Sequence, residues 1–413
     1  MTSELFTVVT PAQALQRLLA HLPPGPLGVE TVPLAEALDR VLAEDLIAPV
    51  SLPAFARSTM DGYAVRAADT FGASEGLPAY LTVVGEVPMG RAPTVVVGPG
   101  QAALIHTGGM LPPGADAVVM VEKTQKLAEH EIEVLGPVAP GENVLQVGED
   151  IALGSTVLTA GQRLRPQDLG GLAAVGITQV SVARRPCVAI LATGDEIVPP
   201  ESAPGPGQVR DVNTATLAGL VRRAGGLPLP MGIAPDRFEA LEAAARQGLE
   251  QADALVLSAG SSVSTRDMTA EAIRRLGAPG VLVHGVSIRP GKPTILAVAG
   301  EKPVFGLPGN PVSALTVAGL FLLPTLWHLQ GCPVPPTTPR RWARLARNIP
   351  SAPGREDYVP VRLEERQGDL WADPVFGKSN LIYTLVRADG LVVVPLDAGG
   401  LQAGERVEVR LLV

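Results

Sequence analysis

Carboxylates, serines and glycines gather in a few short runs of this chain, each at the end of an apolar stretch. These runs are Thr193-Gly194-Asp195-Glu196, Ala234-Pro235-Asp236, the serine and glycine segment from Ser258 to Asp267, and Gly306-Leu307-Pro308-Gly309-Asn310-Pro311. Asp195, Glu196 and Asp267 are hard oxygen donors that suit a Mg²⁺ ion shared with substrate phosphates. The same side chains also serve as helix caps, a plainer task for an aspartate. Ser261 and Ser262, beside a glycine, allow backbone N–H groups to approach an anion closely, and a solvent-facing turn has the same composition.

A more specific signal is Arg289-Pro290-Gly291-Lys292-Pro293. Prolines on both sides of Gly-Lys restrict the backbone and aim a cation at a defined place. The run is not a Walker A loop, because Gly285 is one residue too far back and Pro293 replaces the hydroxyl residue that would hold Mg²⁺. The chain has five lysines, at 123, 126, 292, 302 and 378. Lys292 and Lys378 directly follow glycines, so a freely solvated lysine is a weaker reading for them than usual. Ser58-Thr59-Met60-Asp61-Gly62-Tyr63-Ala64 and Thr107-Gly108-Gly109 also stand out, although an Asp-Gly pair commonly marks no more than a hairpin turn. The five histidines, at 21, 106, 130, 284 and 328, have no metal-ligand spacing, and no nucleophile elbow occurs.

The elements that must position these residues follow from periodicity. Between Arg185 and about Gln330, apolar runs alternate with amphipathic segments, the pattern of a parallel sheet covered by helices. Strands are expected at Cys187–Leu191, Leu227–Gly232, Ala254–Ser258 and Pro303–Leu307. Helices are expected after a cap at Asn213 or Thr214 with an exit at Gly225, after a cap at Asp236, and after Asn310-Pro311. In an open α/β sheet, ligands bind beyond the carboxyl ends of the strands. The polar loops fall at those ends, so they predict one site. Thr10-Pro11 starts a helix, a second helical pattern covers Leu34 to Leu42, and the stretch from about Ser51 to Val147 reads as short strands broken by Gly and Pro. A helical segment returns at Pro166 to Val175, so a β domain is inserted into a discontinuous helical one. Pro333 to Pro339 reads as a linker before a small all-β domain.

The expected boundaries are 1–50 with 148–184 for the discontinuous domain, 51–147 for the inserted β domain, 185–332 for the α/β domain and 337–413 for the last. A chain of 413 residues exceeds the size at which one core keeps growing, which agrees with several domains. A net charge of -8 and an aromatic fraction of 3% argue against a nucleic-acid partner, which needs cationic grooves or stacking platforms. Any anionic ligand must therefore meet a local cluster of donors. Cys187 and Cys332 are far apart and lack a CxxC partner, which excludes a disulfide framework and fits a reducing, cytoplasmic setting. The start lacks the features of a signal peptide, and the longest apolar stretch, Val312 to Leu323, stops at Pro324, short of a bilayer span. No membrane association is expected.

Taken in order, these runs resemble the MoeA family of molybdopterin molybdenumtransferases, whose eukaryotic relatives include the gephyrin E domain. The resemblance rests on Pro53 to Val65, Thr107-Gly108, Pro113 to Val119, Gly148-Glu149-Asp150, Thr193 to Glu196 and Asp211-Val212-Asn213. It continues through the loop ending at Asp267, Arg289 to Pro293 and Gly306 to Ser313. It implies a four-domain homodimer with a discontinuous helical domain, an inserted β domain, a molybdopterin-binding α/β domain and a C-terminal β-barrel. It also implies that adenylyl-molybdopterin and molybdate bind together, that the dithiolene takes up the metal, and that AMP leaves with help from Mg²⁺. Handover to molybdoenzymes or other cofactor-biosynthesis proteins would follow.

Carried over by motif, Asp61, Thr107, Glu196, Asp236 and Asp267 would be catalytic, with Glu196, Asp267 and Asp195 near the metal. Asp150, Thr193, Gly194, Ser261, Ser262, Arg289, Lys292, Pro308, Ser313, Arg355 and Ser379 would bind substrates. Ala259 and Ser264 stand where the family usually has glycine, and Arg289 where it often has lysine. A non-catalytic scaffold of the same fold would not need Asp61 or Glu196. A tungstate-selective paralogue is not separable at this level, because the two oxyanions share size and charge.

Overall fold

The computed structural model describes residues 9–259 and 263–412, without the side chains of 263–266. Helix α1, Pro11–Leu19, opens on a capping box in which the Thr10 hydroxyl accepts from the Gln13 N–H. The chain then pairs Val29–Pro33 with Gln179–Ala183 and Leu46–Ile47 with Thr156–Leu158, both antiparallel, across more than a hundred residues. Helix α2, Pro166–Ala174, packs on this unit, whose small core includes Leu42, Leu164, Leu172 and Val182. The helix expected over Leu34 to Leu42 is absent. Only a short 3₁₀ turn forms, Leu34–Glu36, and Asp39 adopts φ 64°. Tertiary pull overrides the local pattern here: buried Arg40 pairs with Glu30 and donates to the Ala183 carbonyl, which a continuing helix would prevent.

Within the insertion, a six-stranded sheet runs Ala117–Met120, Gly62–Val65, Gln101–Ile105, Ala79–Glu86, Glu131–Val134 and Thr124–Ala128 in spatial order. Its strands bury alternate residues on two faces, Val65 and Ala102 on one and Ala64 and Ala103 on the other.

The central sheet has the order Leu227–Ala234, Cys187–Thr193, Ala254–Ala259, Lys302–Pro308, Ile295–Ala299 and Pro279–His284. The first four strands are parallel, as expected. Ile295–Ala299 runs antiparallel to them and Pro279–His284 pairs antiparallel with it in turn, two additions that the sequence does not announce. Both faces are covered. Val188 and Ile190 face helix α3, Asn213–Arg223, through Leu217 and Val221, while Ala189 and Leu191 face helix α4, Phe238–Gln251, through Leu241 and Ala245. Each fully buried valine, leucine or isoleucine among these contributes about 1.5–3 kcal/mol. Helix α5, Val263–Arg274, joins α4 on its face. The strand Cys187–Thr193 therefore lies where the crossovers diverge to opposite faces, the switch point of the sheet.

Pro311 starts a continuous helix to Leu329, mostly buried and passing through Pro324. The apolar stretch therefore does not stop at Pro324, and by length and composition alone this helix meets the requirement for a membrane span; here it packs into the protein core. A π turn at Ala318–Leu322 precedes Pro324, which lacks an N–H for the helical ladder. The C-terminal strands form a closed sheet in which Glu356–Arg366 pairs with both Asp369–Pro374 and Gly390–Val394. The inserted β domain, the α/β domain and the β-barrel thus match the expected fold class.

Candidate functional site

At the end of the first central strand, the buried Thr193 hydroxyl donates to Asp236 Oδ1 at 2.9 Å. The Asp236 N–H in turn donates to Asp195 Oδ1 at 3.1 Å, so Asp195 ties together the ends of two neighbouring strands. Asp236 does not cap α4 with its side chain. Gly194 has φ 148°, and a Cβ there would lie 2.7 Å from Glu196 Oε2. Glycine is therefore required for the loop to fold back over its own glutamate.

Glu196 lines a cavity of about 630 Å³ together with Thr193, Asp211, Asn213, Ser258 and Asn310. The cap position of α3 falls on Val212, not on Asn213 or Thr214 as expected, and the side chain that serves the helix start is Asp211, whose Oδ1 accepts from the Thr214 N–H at 3.1 Å. Asn213 is buried and donates from Nδ2 to Ser258 Oγ at 2.7 Å and to the Gly309 carbonyl at 2.8 Å. Among the described residues its Oδ1 has no hydrogen-bond partner, which leaves an unsatisfied buried acceptor in the wall of this cavity.

A second cavity, of about 580 Å³, begins on the other side of Asn310. Arg289, Lys292, Pro308, Ser313, Arg355 and Ser379 all line it. Asn310 joins the two walls, since its Nδ2 donates to Ser379 Oγ at 3.0 Å. The Ser379 carbonyl accepts from the Val312 N–H at 3.1 Å at the start of the long helix. The C-terminal domain thus completes a wall of the α/β site. The exposed Lys292 has no ion-pair partner within 4.0 Å among the described residues, and no acidic residue lines this cavity. Three cations and two hydroxyls around a small space suit the charge and hydrogen-bonding geometry of a compact oxyanion.

In the inserted domain, Asp61 Oδ1 accepts from the Thr107 N–H at 2.7 Å and from its hydroxyl at 3.0 Å. His106 Nδ1 lies 3.8 Å from the same oxygen, and His106 Nε2 lies 3.1 Å from Glu86 Oε1. The sequence reading did not select His106 or Glu86, because their partners come from separate strands. The Thr107 N–H, then its hydroxyl, hold the Asp61 carboxyl below the usual aspartate range, with His106 adding to the effect against some desolvation. Among the described residues, no member of 51–147 lines either cavity.

Asp150 is exposed in the turn after Gly148, tied by its N–H to the Leu52 carbonyl, and reaches neither cavity. Asp267 is exposed on α5 and also lines neither. Ser261 and Ser262 lie outside the described residues, as does the side chain of Ser264. Ala259 is buried at a strand end opposite Pro308.

The chain matches three family models in succession: "MoeA N-terminal region (domain I and II)" at 9–176, "Probable molybdopterin binding domain" at 189–328, and "MoeA C-terminal region (domain IV)" at 342–412. It is 36% identical to the molybdopterin molybdenumtransferase of Synechococcus elongatus, covering 98% of this chain and 100% of that protein. It is 34% identical to that of Bacillus subtilis, covering 93% and 90%. A solved molybdopterin biosynthesis MoeA protein from Pyrococcus horikoshii superposes with a TM-score of 0.85 at 33% identity, covering 98% of this chain and all of that one. With three family models matched in succession and near full-length matches in sequence and fold, the chain belongs to the MoeA family of molybdopterin molybdenumtransferases.

Proposed function

We propose that the protein inserts molybdate into adenylyl-molybdopterin with release of AMP, and that the two adjoining cavities divide the substrates. The observation that carries this reading is that Arg289, Lys292, Pro308, Ser313, Arg355 and Ser379 line one cavity, next to the one holding Glu196. The cationic cavity takes the molybdate dianion. The cavity at the strand ends takes the pterin nucleotide, whose polar groups meet the lining side chains of Thr193, Asn213 and Ser258.

The divalent ion in this reading is Mg²⁺. Among the described residues no three acidic, histidine or cysteine side chains converge to form a protein cage. That donor set fits an ion held by one carboxylate, with waters and phosphate oxygens completing its sphere. Glu196 would hold it, with Asp267 approaching from α5, while Asp195 already accepts the Asp236 N–H. When bound, the ion would offset the charge of the pyrophosphate and polarise it. The protein's own part is to keep Asp61 ionised beside the attacked phosphate, to fix the nucleotide against the sheet edge, and to hold the oxyanion near the dithiolene.

Two copies of the chain form the working unit in this reading. The inserted domain of one supplies Asp61 and Thr107 to the strand-end cavity of the other, and Asp150 approaches from the same side. The setting is cytoplasmic, and the finished cofactor passes on to molybdoenzymes or other cofactor-biosynthesis proteins.

The test is an insertion assay with adenylyl-molybdopterin, molybdate and Mg²⁺, reading AMP and metal-loaded cofactor, with tungstate as competitor to set oxyanion preference. Lys292→Ala is expected to raise the molybdate concentration for half-maximal insertion by roughly tenfold to hundredfold, the range of a lost charged hydrogen bond of about 1.5–3 kcal/mol. Nucleotide affinity is expected to change little. An unaltered molybdate dependence would remove the cavity assignment.

A further inference from the structure

We propose that Asp357, which borders a neighbouring cavity of about 690 Å³ and not the cationic one itself, is the positioning residue that holds Arg289 and Arg355 ready for the oxyanion; this rests on the molybdate reading above. The Asp357 side chain is 4% exposed. Its Oδ1 accepts from Arg355 Nε at 2.8 Å, while Arg355 Nη2 and Arg289 Nη1 each lie 3.5 Å from its Oδ2. One buried carboxylate therefore sits between two guanidinium groups from different domains, which are 61% and 36% exposed for Arg289 and Arg355.

The backbone makes this geometry firm. Ile288–Arg289 pairs in parallel with Glu356–Asp357, and the Glu356 N–H donates to the Ser287 carbonyl at 2.9 Å. Arg289 and Asp357 are direct register partners. Arg355 sits at the bend just before this strand, two residues from Asp357, and its Nε donates to that carboxylate.

Without a counterion, Arg289, Arg355 and Lys292 repel one another around an empty cavity, and long side chains relieve that repulsion by swinging into water. Asp357 restrains two of the three and leaves a net charge of +2 at the site, matching a tetrahedral dianion. Holding the guanidinium groups in place beforehand reduces the ordering cost of binding. A role limited to neutralising charge would have the opposite consequence, because removing the acid would then strengthen anion binding. The sign of the effect separates the two.

The experiment measures molybdate binding by calorimetry, and the molybdate KM and kcat of insertion, in the wild type, Asp357→Asn and Lys292→Ala, with thermal unfolding as a folding check. Asp357→Asn is expected to raise the molybdate Kd and KM at least tenfold, with kcat at saturating molybdate within about twofold and nucleotide affinity unchanged. A KM that stays the same or falls in Asp357→Asn while Lys292→Ala is impaired overturns the positioning role and leaves the cavity assignment standing. No effect of molybdate on the wild type overturns the cavity assignment, and this inference with it. Should Asp357→Asn fail to fold, Arg355→Lys tests the link from the other side. Lysine keeps the charge but not the Nε contact, so the same rise in KM is expected, and an unchanged KM overturns the proposal.

Discussion

Asp61 and Thr107 are 46 residues apart, yet both the N–H and the hydroxyl of Thr107 converge on one oxygen of Asp61, at 2.7 and 3.0 Å. These bonds favour the charged form, so the Asp61 pKa is lower in the folded chain than in the unfolded one. The stabilisation this brings is present above the unfolded value of about 3.9 and is lost as pH falls through the lower folded value. Thr107→Val, which keeps the N–H and removes the hydroxyl, is expected to move the Asp61 titration part of the way up toward the ordinary range, read by NMR. Asp61→Asn is expected to lower the maximal rate at saturating Mg²⁺ without shifting the half-saturating Mg²⁺ concentration. If Asp61→Asn changes only nucleotide affinity, Asp61 is a binding group and not one acting on the reacting phosphate.

Mixed dimers test the shared cleft. Asp61→Ala and Glu196→Ala are each expected to be inactive alone. After subunit exchange, mixed dimers carry one cleft that combines a wild-type inserted domain with a wild-type strand-end cavity, and about a quarter of the clefts in a random mixture are intact. Activity should return to that extent. Mixed dimers that remain inactive would show that both residues act within one chain.

Neighbouring acids at the strand end should behave differently. Glu196 faces the cavity, while Asp195 accepts the Asp236 N–H. Glu196→Gln is expected to raise the half-saturating Mg²⁺ concentration for AMP release by roughly tenfold to hundredfold, the scale of effects around metal ligands. Asp195→Ala is expected to lower Tm by about 2–4 °C with little change in Mg²⁺ dependence. Reversed outcomes would move the metal from Glu196 to Asp195.

Asp253 fastens the central sheet to the discontinuous domain. It accepts from Arg184 Nη1 and Nη2 at 2.9 and 2.8 Å and from the Cys187 N–H at 2.7 Å. Burial pushes its carboxyl up, but the Arg184 guanidinium and the Cys187 N–H outweigh this and leave the pKa below the usual range. Its contribution is therefore present above pH of about 3.9 and is lost as pH falls through the lower folded value. Asp253→Asn is expected to cost about 1–3 kcal/mol near neutral pH, allowing for the partial exposure of Arg184. The difference from wild type should shrink in acid. A pH-independent difference in urea unfolding would show that the charge is not what matters there.

The sequence by itself determined the element types wherever local chemistry and burial agree. The strands around Val188, Val256 and Val304 were legible because parallel strands buried on both faces read as short apolar runs, and the edge strand around Leu229 was legible as an apolar run although most of it is partly exposed. The helix start at Thr10-Pro11 and the helix exit at Gly225 were legible because such signals act within a few residues. The cationic residues of the second cavity were named from motifs before any packing was known. Tertiary structure alone decided the outcome at Leu34 to Leu42, where Arg40 finds Glu30 and Ala183 and the helical pattern yields. It also decided that Asp195 ties backbone while its neighbour Glu196 faces a cavity, since side chains so close along the chain differ only in what lies opposite them. Asp357 escaped notice for the same reason. Nothing within Gly354-Arg355-Glu356-Asp357 specifies Arg289 as a partner until a parallel strand pairing brings together two residues 68 positions apart.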